Sequence, residues 1–386
     1  MSRLVLATLV LSASASQYFA TPPGGYRPFG PKAPTGLAID TYHNIYLTYP
    51  RNSGSTPSNV VICTSFNDEK PWPNAAIQNC TSGQDPSTCL INVQNVVLDS
   101  ISQLWIVDSG IPYNATPNSN AISGGAKIMS FNETTGKLIK TYTTPTSLLA
   151  HGMNANDVRI NNTLGARGFA FITDESRNSS ILAIKLATGA TTRRLFNTSV
   201  VRADEGYVGS YNGEPVYSWN GTNRSYTTTG ADGIALASGD FHWRYPVNCA
   251  SEQAGFSPDD NGRLYIFASE QNATYYVDTL QSQVTETVNG VPPNGTGLVK
   301  AENYVVKTLV RNAMVQHADS GAILDGWCYF NTNQLEYSPR FRYGNVDARK
   351  GPFRSFRIVG WSWAGGVMGG RVRSYAIPAR SWWGSA

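Results

Sequence analysis

Short apolar runs closed by an Asp, a small polar turn and a second apolar run recur along this chain. The clearest instance is Gln94 to Gly110, QNVVLDSISQLWIVDSG. Asn95 to Leu98 is largely β-branched and apolar, Asp99 and Ser100 begin a turn, and Leu104 to Val107 returns, which is the pattern of a β-hairpin. Four other stretches carry the same phrase. They are Thr35–Asp40 with Ile45–Tyr49, Asn156–Asn161 with Gly168–Asp174, Ala231–Leu236 with Arg263–Ser269 after an interruption, and Asp319–Asp325 with Trp327–Phe330.

The copies begin at Thr35, Gln94, Asn156, Asp232 and Asp319, in steps of roughly 60 to 90 residues, a period that marks repeat architectures. Further strand-like runs fill the steps: Ala126–Phe131, Leu138–Tyr142, Ile181–Leu186 and Thr191–Phe196. Four short strands per unit is the content of a propeller blade. A β-sandwich with coincidentally similar hairpins explains the recurring phrase poorly. With five copies and room for one more, the pattern predicts an all-β, six-bladed β-propeller over residues 35–359.

Two segments break the pattern. Residues 239–256 separate the halves of the fourth copy and hold His242, Trp243 and Cys249; we read them as an atypical insertion, either a loop on a propeller face or a piece of an erroneous gene model. The tail 360–386 is rich in Trp, Gly and Arg and has neither strand nor helix period.

Composition adds the compartment. Charged residues are only 15% of the 386, against a usual share of about 25%. Met1 to Ala15 has a basic start, an apolar core from Leu4 to Leu11 and an Ala13-Ser14-Ala15 cleavage pattern, so 1–15 reads as a signal peptide and 16–34 as a Pro/Gly-rich lead. No later apolar run approaches the ~18 residues of a membrane span. The expectation is a secreted, extracellular protein.

Asn-x-Ser/Thr sequons agree with export. We expect glycosylation at Asn79, Asn114, Asn132, Asn178, Asn197, Asn220, Asn223, Asn272 and Asn294, and exclude Asn161 because it falls on a predicted inner strand. Among five cysteines, Cys80 and Cys89 are expected to form a short-loop disulfide, with Cys63 an alternative partner to either. From Arg340 onward nine basic residues stand against one acidic, leaving 21 against 25 elsewhere. The basic set is not interleaved with a nucleic-acid module, so no nucleic-acid partner is expected.

In a propeller the residue before each inner apolar run faces the central channel. That rule selects Thr35, Gln94, Asn156 with Asp157, Asp232 and Asp319 as ligand-binding residues. Three chemistries suit such a ring: oxygen ligation of a divalent cation, reception of a cationic organic ligand, and an Asp acting as general base on a carbon acid. Asp40, Asp99 and Asp325 read as turn residues, and Asp108 and Asp174 as structural. His151 and His317 lie just before strand starts, and we read both as loop histidines. The histidines are scattered and no C-x-x-C occurs, so no resident metal is assigned. There is no G-x-S-x-G, H-E-x-x-H or phosphate loop.

The phrases PTGLAIDTYHNIYLTYPR, VQNVVLDSISQLWIVDSG, GFAFITDES, GADGIAL and DSGAILDGWCYFNTNQLEYSPRFRYGNVDARKGPFRSFR, in that order, resemble the yellow/major royal jelly protein family in a form like its fungal members. The resemblance runs from about Thr35 to Arg357 and implies a secreted six-bladed propeller. It also implies either binding of biogenic amines in the channel or dopachrome-converting chemistry. Similar gluconolactonase-type propellers bind a divalent metal through Glu, Asn, Asn and Asp. Asn156 and Asp232 match that pattern, whereas Thr35 stands in place of Glu and Gln94 in place of the first Asn. The reading is a secreted propeller glycoprotein binding a small polar or aromatic-amine-like molecule. The alternatives are a dopachrome-type tautomerase, a metal-dependent lactonase with a divalent cation, and a non-catalytic extracellular protein.

Overall fold

The computed structural model describes residues 26 to 359 apart from internal stretches, of which the longer are 30–32, 51–57, 113–118, 237–241, 244–252, 259–261 and 288–290. The expected signal peptide, the 360–386 tail, most of 239–256, His151, Cys249, Asn114, Asn220 and Asn294 lie outside the described residues.

Five antiparallel four-stranded sheets are the blades. Blade 1 runs Leu37–Ile39, Ile45–Thr48, Val60–Cys63, Glu69–Pro71, and blade 2 runs Val93–Leu98, Gln103–Asp108, Lys127–Asn132, Leu138–Thr143. Blade 3 runs Ala155–Asn161, Phe169–Asp174, Ser180–Lys185, Thr191–Arg194, and blade 4 runs Gln253–Pro258, Arg263–Ala268, Ala273–Asp278, Lys307–Arg311. Blade 5 combines Ala318–Leu324, Trp327–Thr332 and Phe353–Val359 with Tyr26–Phe29 as its outermost strand. A strand from the expected lead thus completes the last blade, and the inner strands of blades 5 and 1 lie against each other to close the ring. Among the described residues, helix is confined to short 3-10 turns.

The expected count of six blades is corrected to five among the described residues. The fourth copy is not one hairpin with an interruption: Arg263–Ala268 pairs with Gln253–Pro258, while Ala235–Leu236 pairs with His242–Trp243. This second pair is a two-stranded ribbon, and its Ala235–Leu236 strand lies between the inner strands of blades 3 and 4. Among the described residues it occupies a blade's place with two strands. The preceding stretch forms only two-residue pairings, Ser210–Tyr211 with Glu214–Pro215 and Ser218–Trp219 with Arg224–Ser225, because its Gly- and Asn-rich sequence has no apolar run long enough for a buried strand.

The recurring Asp is a turn device. Asp99 Oδ1 accepts from the N–H of Ile101 and of Gln103, and its Oδ2 accepts from Trp105 Nε1 at 2.8 Å. Asp40 does the same, with Tyr42 and Asn44 N–H on Oδ1 and the Tyr46 hydroxyl on Oδ2. Asn161 holds Thr163 and Leu164 N–H in the third copy. Each side chain satisfies backbone donors that the tight turn leaves without ladder partners.

The strands read as continuous apolar runs because both of their faces are buried between blades. Along blade 1, Leu37 and Ile39 pack towards Tyr329 and Phe353 of blade 5, while Ala38 packs towards blade 2 with Val96 and Ile106. Along blade 2, Leu104 and Ile106 face blade 1 while Trp105 and Val107 face Val158 and Ile172 of blade 3. Alternation is present, but it sorts residues between two cores instead of between core and solvent.

Candidate functional site

Four inner strands carry a register shift at their start. It falls between Val93 and Asn95 in blade 2, Ala155 and Val158 in blade 3, Gln253 and Gly255 in blade 4, and Ala318 and Gly321 in blade 5. A bulge leaves a residue unpaired in the ladder and re-aims its side chain. Gln94, Asn156, Asp157 and Asp319 are bulge residues, so the position chosen from the sequence has a backbone reason. Blade 1 has no such shift, and Thr35 instead continues the ladder through its N–H to Thr48 O at 3.0 Å.

The structure joins the predicted residues in three groups. In the first, the hydroxyls of Thr35 and Thr48 both donate to Gln94 O at 2.8 Å. Gly36 lets blades 1 and 2 approach here, since a Cβ at this position would meet Thr48 Oγ1 at 2.5 Å and Asn95 Oδ1 at 2.6 Å. Gln94 is 7% exposed, and its side-chain Nε2 is buried with no hydrogen-bond acceptor. A buried donor without an acceptor is a sharp exception in a native interior.

The second group spans blade 3 and the ribbon. Asn156 Nδ2 donates to Glu175 Oε2 at 2.6 Å and also to Asp232 Oδ1. Asn154 Nδ2 donates to the other oxygen of Glu175, and Asn154 Oδ1 is buried without a donor. Behind them Asp157 is buried. It accepts from Asn95 Nδ2 at 2.7 Å, from Ile234 N–H at 3.0 Å and from Arg159 Nη1 at 2.5 Å. Burial pushes its carboxyl above the ordinary Asp range, and the Arg159 guanidinium and the Ile234 and Val158 N–H groups offset part of that rise. Arg159 also donates to Phe256 O, tying blade 3 to blade 4. Asp157 therefore serves the frame and already has its cation.

The third group is in blade 5. Asp319 accepts from Asn333 Nδ2 at 2.6 Å and from Ser320 Oγ at 3.4 Å. Burial pushes its carboxyl up to about 6; His317, Asn333 and Ser320 pull it down, and the Asp157 carboxylate adds to the rise. His317, read as a loop residue, is instead buried, with Nδ1 at 2.7 Å from Glu336 Oε1.

Sequence reasoning missed Glu175, Asn95, Arg159, Asn333 and the His317–Glu336 pair. Glu175 had a signal: it follows the last residue of a second strand, and second-strand ends lie beside inner-strand starts in every blade. Glu336 had none, since it comes from a short 3-10 turn 19 residues beyond His317.

The divalent-cation pattern does not fit these residues. Thr35 is spent on the Gln94 carbonyl, and amide nitrogens of Asn154 and Asn156 occupy the Glu175 and Asp232 carboxylates. Among the described residues no three His, Cys, Asp or Glu side chains converge as ligands. No step through a metal is derived.

The family profile described as major royal jelly protein matches residues 91–226. Over that stretch the chain is similar to that family. The matched stretch holds blades 2 and 3 with Gln94, Asn156, Asp157 and Glu175. None of the curated proteins compared with the chain matches it. Among solved structures, virginiamycin B lyase from Staphylococcus aureus is 10% identical, covering 80% of this chain and 95% of that one, with a TM-score of 0.41. A gluconolactonase from Xanthomonas campestris is 9% identical over 90% and 93%, TM-score 0.43, and a luciferin-regenerating enzyme 10% identical over 89% and 94%, TM-score 0.43. The description of the fold rests on this chain's own strand pairing.

Elsewhere, a disulfide joins Cys80 to Cys89, and Cys63 and Cys328 are buried thiols on separate blades. Asn132, Asn178, Asn197 and Asn223 are exposed, and Asn79 and Asn272 are half-buried. Among the described residues no helix is long and apolar enough to cross a membrane.

Proposed function

We propose that this is an exported glycoprotein whose channel mouth binds a small polar molecule bearing an ammonium group, such as an aromatic amine. The observation that carries the reading is Gln94 Nε2, a buried donor with no acceptor, at a bulge at the start of the inner strand of blade 2, as Asp319 is at the start of that of blade 5. A ligand that offers an acceptor to Gln94 and a cation to the Asp319 carboxylate satisfies both deficits. Aromatic amines suit this because they pair one charge with a polar, flat body. The Met1–Ala15 segment and the sequons support export and glycosylation. Calorimetric titration of the purified protein with catecholamines, indoleamines and sugar lactones tests the reading. Heat from the amines alone supports it, and silence across the panel sinks it.

A second reading, a dopachrome-type tautomerase, is favoured by one observation. The Asp319 carboxyl, pushed up to about 6, titrates close to working pH, as a proton-transfer group must.

A further inference from the structure

Two segments outside the blades lock together at the surface, and between them they carry an excess of arginine. One is the run of 3-10 turns Leu335–Tyr337, Pro339–Phe341 and Tyr343–Asn345, which follows the second strand of blade 5. The other holds the paired Ser218–Trp219 and Arg224–Ser225, from the stretch between blade 3 and the ribbon. Trp219 packs on Tyr343 with ring centroids 4.9 Å apart, and Tyr211 meets Tyr337 edge-on at 5.3 Å. Arg342 Nη1 lies 3.6 Å from Glu214 Oε2. These contacts bring the arginines of both segments to one surface.

The arginines are not loose solvated charges. Arg224 lies over the Tyr217 ring at 4.6 Å, and Arg340 over Phe341 at 5.2 Å. A guanidinium stacked on a ring has its plane held while its edge donors stay in water, so little freedom is lost when it grips an oxyanion. The nearby acids are already taken. Glu214 faces Arg342, and Asp347 receives a two-bond fork from Arg349 at 2.9 and 2.6 Å. Lys350 has its backbone pinned by reciprocal 2.9 Å bonds with the Gln334 side chain. Among the described residues, Arg224, Arg340 and Lys350 are exposed cations with no carboxylate partner. Such a cluster, on a chain that is mildly acidic outside its last part, attracts a partner with several negative charges.

The rings narrow the choice of polyanion. Single-stranded nucleic acid is held by stacking bases on open aromatic faces, and here the faces of Tyr217 and Phe341 carry guanidinium groups. What the surface offers is donor forks, and a carboxylate or sulfate presents two oxygens to each. Several such groups along one chain engage several cations at once, which adds up weak contacts. Tyr343, 68% exposed beside them, gives a flat apolar surface for the C–H face of a sugar ring. We infer that this surface docks an acidic polysaccharide, a chain of sugars bearing carboxylate or sulfate groups, through Arg224, Arg340 and Lys350. The inference goes beyond the small-molecule reading and does not rest on it.

The test is fluorescence anisotropy of labelled heparin, polygalacturonate, neutral dextran and oligothymidylate with the full purified chain, at low and at physiological ionic strength. Acidic glycan binds, more weakly as salt rises, and dextran does not. Binding of heparin alone assigns the surface to sulfate, and binding of both acidic chains shows that carboxylate suffices. The triple variant Arg224→Gln/Arg340→Gln/Lys350→Gln loses about tenfold or more of the affinity, the sum of three exposed charge contacts. Lys137→Gln/Lys140→Gln/Lys185→Gln removes the same charge from exposed sites on blades 2 and 3 and stays within about twofold of wild type. Arg224→Lys/Arg340→Lys keeps the charge and loses the forks, so it binds a few-fold more weakly. All of the substituted side chains are exposed, and an unchanged unfolding midpoint shows that each variant is folded. Failure of both acidic glycans to bind overturns the inference, as does an equal loss in the two triple variants or an undiminished affinity in the Arg→Lys variant. Oligothymidylate bound as tightly as the glycans overturns it in favour of a nucleic-acid surface.

Discussion

Two carboxylates at equivalent ends of the repeat have opposite fates. Asp108, at the end of the second strand of blade 2, is saturated. Its oxygens accept from the N–H groups of Ile91, Asn92 and Gly110, and Lys127 Nζ sits 2.8 Å away and also donates to Gly125 O. Neither side chain of that pair is exposed. Asp319, at a bulge, has one strong amide donor, a weak hydroxyl and an imidazole beyond hydrogen-bond reach. The same residue type is frame where backbone donors converge on it, and chemistry where a bulge removes it from them.

The largest test of that contrast is Asp108→Ala, which strands a buried ammonium and three backbone N–H groups. It is expected to cost about 3–5 kcal/mol of stability in denaturant unfolding. An apolar Asp108→Leu/Lys127→Leu double variant should not rescue it, because the N–H groups stay orphaned. Full rescue would mean that the carboxylate serves only the lysine. Next comes Asp99→Ala, which frees Trp105 Nε1 and two turn N–H groups and should cost about 1–3 kcal/mol.

Asp319→Asn should act in the opposite sense. The folded carboxyl titrates near 6 against an unperturbed 3.8, so between about pH 4 and 6 the native state holds a proton that the unfolded state has lost. Wild-type stability therefore falls as pH rises through that window and stays lowered above it. The Asn variant should lose this slope and match or exceed wild type at pH 7, read as unfolding midpoints at several pH values. The smallest effect on stability belongs to Gln94→Leu. Removing an amide that already lacks an acceptor should leave the unfolding free energy within roughly 1 kcal/mol, while amine affinity falls by about tenfold. A large destabilisation there would mark Gln94 as frame.

Much of this contrast was legible in the sequence. Asp40, Asp99 and Asp108 read as structural because they recur at fixed offsets from apolar runs, and a turn cap needs such an offset. Gln94, Asn156 and Asp319 stood out because polar residues directly before buried runs are anomalous, and the bulges give the cause. The blade count was not legible. Ala231–Leu236 and Arg263–Ala268 have the composition of partners, and only the ladder shows that Gln253–Pro258 takes the second. Glu175 and Glu336 were hidden for a related reason, since each reaches the centre through a neighbour in space and carries no period along the chain.

The central claim is that a carboxyl left unsaturated at the channel mouth receives a cationic ligand. Calorimetric titration of the purified protein with dopamine at pH 7.5 and pH 5 tests it directly. Ionised Asp319 is required, so affinity should weaken by about tenfold at the lower pH, one unit below the midpoint. Equal affinity at the two pH values, or no heat at either, would contradict the claim.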